Sequence, residues 1–449
     1  MQPRTQFPQA ELKLDVLIVG GSIAGLACAY ALGRSGHRVR VLEKDNGCQR
    51  GGGLRVPPNL TKILIEWGLV EEVKKRRECR KTTFMSMDTG DVLGYLEWKE
   101  DVLKETGAEF ILMRYEDLYQ MLYGLAVSVG AEISYNSTVT AIKPTNPSPS
   151  VHLANGTSLT ADLVIGADGR RSLVRELVDE SKDNGTDSGY TFYTVIIPID
   201  RMAQDPELAT WAHVLQWPIW MGENRCALGF PFADNDYSLS VYWPDNEVAD
   251  DAPEGWDVYC PTNVLDLSQY SDSVRRLFTM VPTAQRTKYV VRERIAEWVD
   301  RTGRILLIGE AAHPSLPCST HGASLAVEDA EALGVLFAHL TTLEQIPQLT
   351  EGFQELRRTR CDFIHRGELS NAALTTMPAG LARDQRDAGL ALSLKGGEEH
   401  WDDDKLRAQW DKIGEGFAYH AREASEDWWV KWGALGPASR HRAERSVTE

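Results

Sequence analysis

A chain of 449 residues is too long for one compact core, so the sequence predicts two unequal domains. Its 43% hydrophobic and 25% charged content is that of an ordinary globular protein. The net charge of −17 argues against nucleic acid and anionic membrane surfaces as partners, because both are bound through clustered Lys and Arg.

Cysteines 28, 48, 79, 226, 260, 318 and 361 are odd in number and never spaced C-x-x-C. They read as thiols in a reducing compartment, not as a disulfide framework or zinc site. The N-terminal stretch MQPRTQFPQAELKLD lacks the apolar core of a secretory signal. No uncharged run approaches the roughly 20 residues of a membrane span. A soluble, cytoplasmic protein is expected.

Residues 14–19 (LDVLIV) form a β-branched apolar run that breaks at Gly20-Gly21. Small and apolar residues follow at helical density through Leu32, and a second strand is expected over His37 to Glu43. Such a β-turn-α-β unit implies a parallel strand pair. Leu118, Leu122 and Leu125 recur at i, i+4 and i+7, predicting an amphipathic helix near residues 113–126. Asn155-Gly156 predicts a hairpin turn, and a buried strand at 162–165 ends in Gly166-Ala167-Asp168-Gly169. The polar stretch 181–188 marks a crossing into another domain. Alternating segments at 191–199, 226–230 and 238–243 then suggest an antiparallel sheet with one wet face. A buried strand returns at Arg304–Ile308, followed by a glycine-containing loop and a long helix over about 323–340. The tail beyond Phe363 is helical in composition, with Trp428, Trp429 and Trp432 expected to pack.

The chemistry begins at Gly20-Gly21-Ser22-Ile23-Ala24-Gly25, which ends one strand and opens a helix. Glycines there permit a tight turn and close approach of a pyrophosphate to the backbone, with the helix N-terminus facing the anion. Glu43, 18 residues past Gly25, is placed to accept hydrogen bonds from ribose hydroxyls. Ser22 stands where the second glycine is usual. This fingerprint alone does not choose between NAD and FAD.

Three later segments resemble the class A flavoprotein monooxygenases. Asp162 through Gly169, with Ser172, Val174 and Arg175, is similar to that family's second fingerprint, where Asp168 would help hold the FAD ribose. Gly309-Glu310-Ala311-Ala312-His313-Pro314, Pro317, Gly322-Ala323 and Glu328-Asp329-Ala330 resemble the third. There Glu310 would contact the ribityl chain, and the helix opening at Gly322-Ala323 would face the flavin. Gly51-Gly52-Gly53-Leu54-Arg55-Val56-Pro57-Pro58-Asn59, Arg114 and the Glu426-Asp427-Trp428-Trp429 tail are similar to the salicylate-hydroxylase-like branch, many of whose members are fungal. Arg114 contacts FAD in relatives, and Gly53 belongs to the same expected cofactor set.

The resemblance implies an α/β fold: a doubly wound, Rossmann-like FAD domain with an inserted, smaller antiparallel substrate sheet and a helical C-terminal segment, as in para-hydroxybenzoate hydroxylase. The FAD domain is expected in three parts (1–80, 106–180 and 286–370), with a sheet excursion at 81–105, the substrate domain at 181–285 and the helical segment at 371–449. FAD would be resident and NAD(P)H a transient co-substrate. The implied reaction uses O2, through a flavin C4a-hydroperoxide, to oxygenate a small aromatic or polyketide- or terpenoid-like secondary metabolite. The alternatives are epoxidation, Baeyer-Villiger insertion or dearomatisation and, in another class, a non-enzymatic scaffold with the FAD fold. A monomer or homodimer is expected.

Three positions depart from the family. Glu310 replaces Asp, Thr320-His321-Gly322 replaces Gly-Gln-Gly, and Thr194 stands where several fungal hydroxylases place Arg. Tyr242 and His213 are the candidate catalytic residues, either of which could deprotonate or orient a phenol. His321 is open between flavin contact and loop packing, and His313 reads as structural. No redox dithiol is present, and Trp217-Pro218-Ile219-Trp220 does not match the flavin-halogenase motif.

Overall fold

The computed structural model describes residues 7–47, 51–97, 100–145, 147–180, 185–212, 215–232, 235–244, 254–255, 258–395 and 414–434; His213 lies outside them. The apolar run near the N-terminus becomes strand Asp15–Val19, the middle of a five-stranded parallel sheet. Across this sheet the order is Ile305–Leu307, Leu163–Gly166, Asp15–Val19, Arg38–Leu42 and Glu132–Ser134. Parallel neighbours require crossovers, and helix Ile23–Arg34 supplies the first. That helix packs against Tyr115–Ser128 and against Gly322–Phe337, whose residues from Ser324 onward are all buried. The Asn155-Gly156 turn joins antiparallel strands Ser150–Leu153 and Ser158–Thr160. The parallel strand pair expected around the glycine turn is present.

The second layer is an eight-stranded sheet. Its order is Val258–Pro261, Thr283–Val291, Thr186–Pro198, Asp236–Pro244, Arg225–Pro231, Gln216–Gly222, Lys81–Ser86 and Val92–Glu97. All of these pairings are antiparallel except that of Gln216–Gly222 with Lys81–Ser86. Strand alternation divides the two faces. Tyr193, Val195 and Ile197, with Tyr237, Leu239 and Val241, enter one core with Trp220 and Phe278. The intervening residues Thr194, Ser238 and Ser240 turn toward the parallel-sheet layer. Helix Ile346–Thr375 runs for 30 residues, and Ala421–Trp428 packs on Gly322–Phe337. The tail tryptophans do pack: Trp428 donates to Glu355 at 3.0 Å, and Trp429 stacks on His339 at 4.4 Å. Among the described residues no helix is long and apolar enough to cross a membrane, and the six described cysteines are free.

Helix Gly322–Phe337 carries three acids with no solvent exposure, Glu328, Asp329 and Glu331. A buried carboxylate is tolerated only when paired and hydrogen-bonded. Glu328 takes Arg357 at 2.8 Å, Arg360 at 3.2 Å and Asn59 at 2.5 Å. Asp329 takes Arg357 at 2.7 Å, His313 at 2.6 Å and the Gly309 amide at 2.9 Å. Glu331 takes Arg34, the Trp67 indole and Arg422, the last two each at 2.8 Å. One helix is thereby tied to five separate segments of chain.

Replacing Arg357 by Met removes a cation shared by two buried carboxylates and should destabilise the protein by about 3–5 kcal/mol, read from denaturant unfolding. His313 adds a pH signature. Burial works against its proton, but Cys361 and Asp329, the latter also by a hydrogen bond, outweigh this and raise it to about 10. An unfolded histidine titrates near ~6.5, so the folded state holds this proton more tightly and the stabilisation is complete below that pH. It is lost as pH rises through about 10. The stability gap between wild type and His313→Gln should therefore narrow over that window in thermal melts.

Candidate functional site

Gly20 has φ +102°, and a Cβ there would lie 2.3 Å from the carbonyl oxygen of Ala167, just past the neighbouring strand. A Cβ on Gly25 would lie 1.9 Å from the Gly20 carbonyl oxygen. Only glycine lets the chain turn here and start a helix beneath the turn. That helix has no acidic residue in its first turn and no side-chain cap at Ser22. Its positive end opens on a cavity that Ser22, Ile23 and Ala24 line. Ser22 directs its hydroxyl to Tyr115 at 2.6 Å, which accommodates a side chain where glycine is usual. Glu43 accepts from the Gly21 amide at 2.6 Å and the Asp45 amide at 2.9 Å, fixing its carboxylate beside the turn.

Gly53, Glu310, Gly322 and Ala323 line the same cavity from other segments. Its empty space is ≈ 1120 Å³, open solvent included. Glu310 accepts from Arg170 Nε at 3.1 Å and Nη2 at 3.0 Å, so its extra methylene reaches a cation. The Asp329 bond to Gly309 anchors the residue immediately before it. The Gly322 amide is taken by Ser319 Oγ at 2.9 Å. Uncapped amides, a fixed carboxylate and a second acid across the cavity are what the phosphates and polyol hydroxyls of FAD require, so the residues fit that cofactor.

Two expected cofactor residues are directed elsewhere. Arg114 forms an ion pair with Asp236 of the large sheet. Asp168 caps helix Leu173–Val178 through the Leu173 amide at 2.8 Å and the Ser172 hydroxyl at 2.5 Å, and burial pushes its carboxyl up.

The sheet supplies the facing wall. Thr194 is in register with Gln285 on one side and Ser240 on the other, and Ser240 with Leu228. These four residues form one row across adjacent strands, and all line the cavity. The Thr194 and Ser240 hydroxyls are 2.7 Å apart. Tyr242 follows Ser238 and Ser240 on the same face but packs on Phe192 at 4.3 Å and is outside the lining set. Burial holds its phenol well above the usual value, which makes it a poor base. His321 stacks on Phe417 at 5.2 Å, and burial lowers it to about 3, so it packs the loop as a neutral ring. His313, Asp329 and Cys361 offer metal-ligand atoms within 4.8 Å of one another. Arg357 already neutralises that aspartate, and His313 and Asp329 serve as part of the buried ion network.

Sequence reasoning missed Arg170, Gln285, Ser238 and Ser240, and quoted Arg55 without giving it a role. Register across four strands is invisible in one sequence, but Arg55, a charge between Leu54 and Val56, was a signal within reach.

Glu43→Ala should weaken FAD binding by roughly 1–3 kcal/mol, the cost of unpaired buried hydroxyls. Calorimetric titration of apoprotein with FAD measures this, and unchanged affinity would show that Glu43 does not hold the ribose.

A family model described as an FAD binding domain matches residues 13–363. FAD-dependent monooxygenase OpS4 of Beauveria bassiana is 26% identical, over 86% of this chain and 91% of its own length. Hispidin-3-hydroxylase of Neonothopanus nambi is 28% identical, over 79% of this chain and 87% of its own. A solved salicylate hydroxylase substrate complex superposes with a TM-score of 0.72 at 19% identity, covering 92% of this chain and 97% of that one. With the glycine turn, the cavity and the two-layer fold, the match over most of the chain establishes that this protein belongs to the class A FAD-dependent monooxygenases.

Proposed function

We propose that the protein uses NAD(P)H and O2 to hydroxylate a small aromatic metabolite held between the FAD cavity and the large sheet. The observation that carries this reading is the in-register row of Gln285, Thr194, Ser240 and Leu228 on the wall of the cavity that the glycine turn opens into. FAD, once bound and reduced, supplies the oxygen chemistry. The chain's own residues do the rest. Ser22, Gly25 and Glu43 would hold the dinucleotide end, with Glu310 and the Gly322–Ala323 helix start at the ring end. Thr194, Ser240 and Gln285 would orient polar groups of the substrate, and Leu228 and Phe230 would exclude water. Hispidin-3-hydroxylase, as its name states, hydroxylates an organic substrate, which supports the same class of reaction here.

A second reading, epoxidation or insertion of oxygen beside a carbonyl, is favoured by two features. Thr194 is a neutral hydroxyl, and Tyr242 is a phenol that burial makes hard to ionise. Neither helps to deprotonate a phenol.

Flavin absorption that survives desalting, NAD(P)H consumption stimulated by an aromatic ligand, and one atom of ¹⁸O from ¹⁸O2 in the product are the expected results. Hydrogen peroxide as the sole product across a panel of aromatics would overturn oxygenation. Product mass with ring-proton NMR separates hydroxylation from the second reading.

A further inference from the structure

Arg55 lies in the short strand Gly53–Val56, paired with Ile111–Arg114, and lines the cavity while only 5% exposed. Its guanidinium sits 4.2 Å from the Trp217 ring centre and 5.8 Å from that of Phe230. It donates to the Cys318 carbonyl oxygen. Three other buried arginines, Arg170, Arg357 and Arg360, each reach a carboxylate within 3.2 Å. Arg55 forms no ion pair among the described residues. The acid that most nearly shares its surroundings, Glu368, is committed to Ser319 Oγ at 2.6 and 2.7 Å and to the His321 amide at 3.0 Å. Burial also pushes the Glu368 carboxyl up toward its neutral form.

A guanidinium remains charged in such a place, and its face-on aromatic contacts stabilise it without neutralising it. Its fork can bind two oxygens of one anion. The same cavity presents the hydroxyls of Thr194 and Ser240 and the amide of Gln285, which are neutral. Glu310 also lines it but is held by Arg170, so Arg55 is left without a countercharge of its own, beside the Phe230 ring, which suits a flat ligand.

We propose that Arg55 receives an anionic oxygen of the substrate, a carboxylate or ionised phenol, and so selects acidic aromatics. This rests on reading the cavity as the substrate site of an FAD monooxygenase. Arg55 would act as a specificity determinant that binds the substrate's charge and leaves the oxygen chemistry to the cofactor.

The test is calorimetric titration of the purified holoprotein with benzoate and salicylate, each against its amide. A second arm uses 4-nitrophenol below and above its own ionisation, to tell phenolate from carboxylate. Visible absorption of the same samples reports retained flavin independently. The wild type should bind at least one anion about tenfold more tightly than its neutral counterpart, as hydrogen bonds to a charged group imply. Arg55→Gln should abolish that preference while leaving amide affinity and flavin retention unchanged. Arg55→Lys, which keeps the charge and loses the fork, should retain part of it; this carries the test if the Gln variant does not fold.

The proposal is overturned if no ligand is preferred as an anion, or if the preference survives Arg55→Gln. Equal losses for acid and amide in Arg55→Lys would also overturn it, as would loss of flavin in the Gln variant, which would place Arg55 at the cofactor. Arg55-dependent anion preference in a protein that retains no flavin would leave the inference standing and overturn the functional reading instead.

Discussion

Three carboxylates without access to water, on one helix, set the geometry of everything around them. Glu328, Asp329 and Glu331 cannot be left unpaired in the interior, so each fixes whichever segment supplies its partner. Asp329 is the most consequential for the site. One of its oxygens holds both His313 and the Gly309 amide, which bracket Glu310 in sequence. The other meets Arg357 on the long helix. The side chain assigned to the cofactor's polyol region is thus positioned by an ion network that never touches the cavity.

The cavity itself is a seam between two kinds of sheet. On one side the parallel strands end at a glycine turn whose shape is dictated by close backbone approach. On the other, antiparallel alternation sends the Thr194 and Ser240 side chains inward and their neighbours Tyr193 and Val241 into a separate core. Register couples these events, because shifting one strand by a residue would exchange the polar wall for bulky apolar side chains. Small hydroxyls in this row leave room for a ligand where larger residues would fill the space.

Much of this was legible in the sequence. The glycine turn, Glu43 and the helix at Gly322 announce themselves through local spacing, since short-range backbone geometry demands particular residues there. The hairpin at Asn155-Gly156 was equally plain. What escaped depends on distance. Asp236 lies 122 residues from Arg114, and nothing near either position shows that they pair. Arg170 follows a readable fingerprint, but its contact with Glu310 spans 140 residues. Tyr242 was a reasonable candidate as a polar aromatic in a strand on the substrate side. It lies on the same face as Ser240, and its packing on Phe192 instead of in the cavity could be learned only from the tertiary structure.

The partners of Glu331 come from residues 34, 67 and 422, so nearly the whole length of the chain meets at one carboxylate. Contacts of such separation form slowly, because long loops must close before they bring any reward. During synthesis the parallel sheet gains its first strands early, yet Glu331 lacks one of its two cations until the segment carrying Arg422 has left the ribosome. Until then Glu331 has Arg34 as its cation, and its helix lacks the cover of Ala421–Trp428. Arg422 is the last of these partners along the chain, so the surroundings of Glu331 are complete only once helix Ala421–Trp428 has docked.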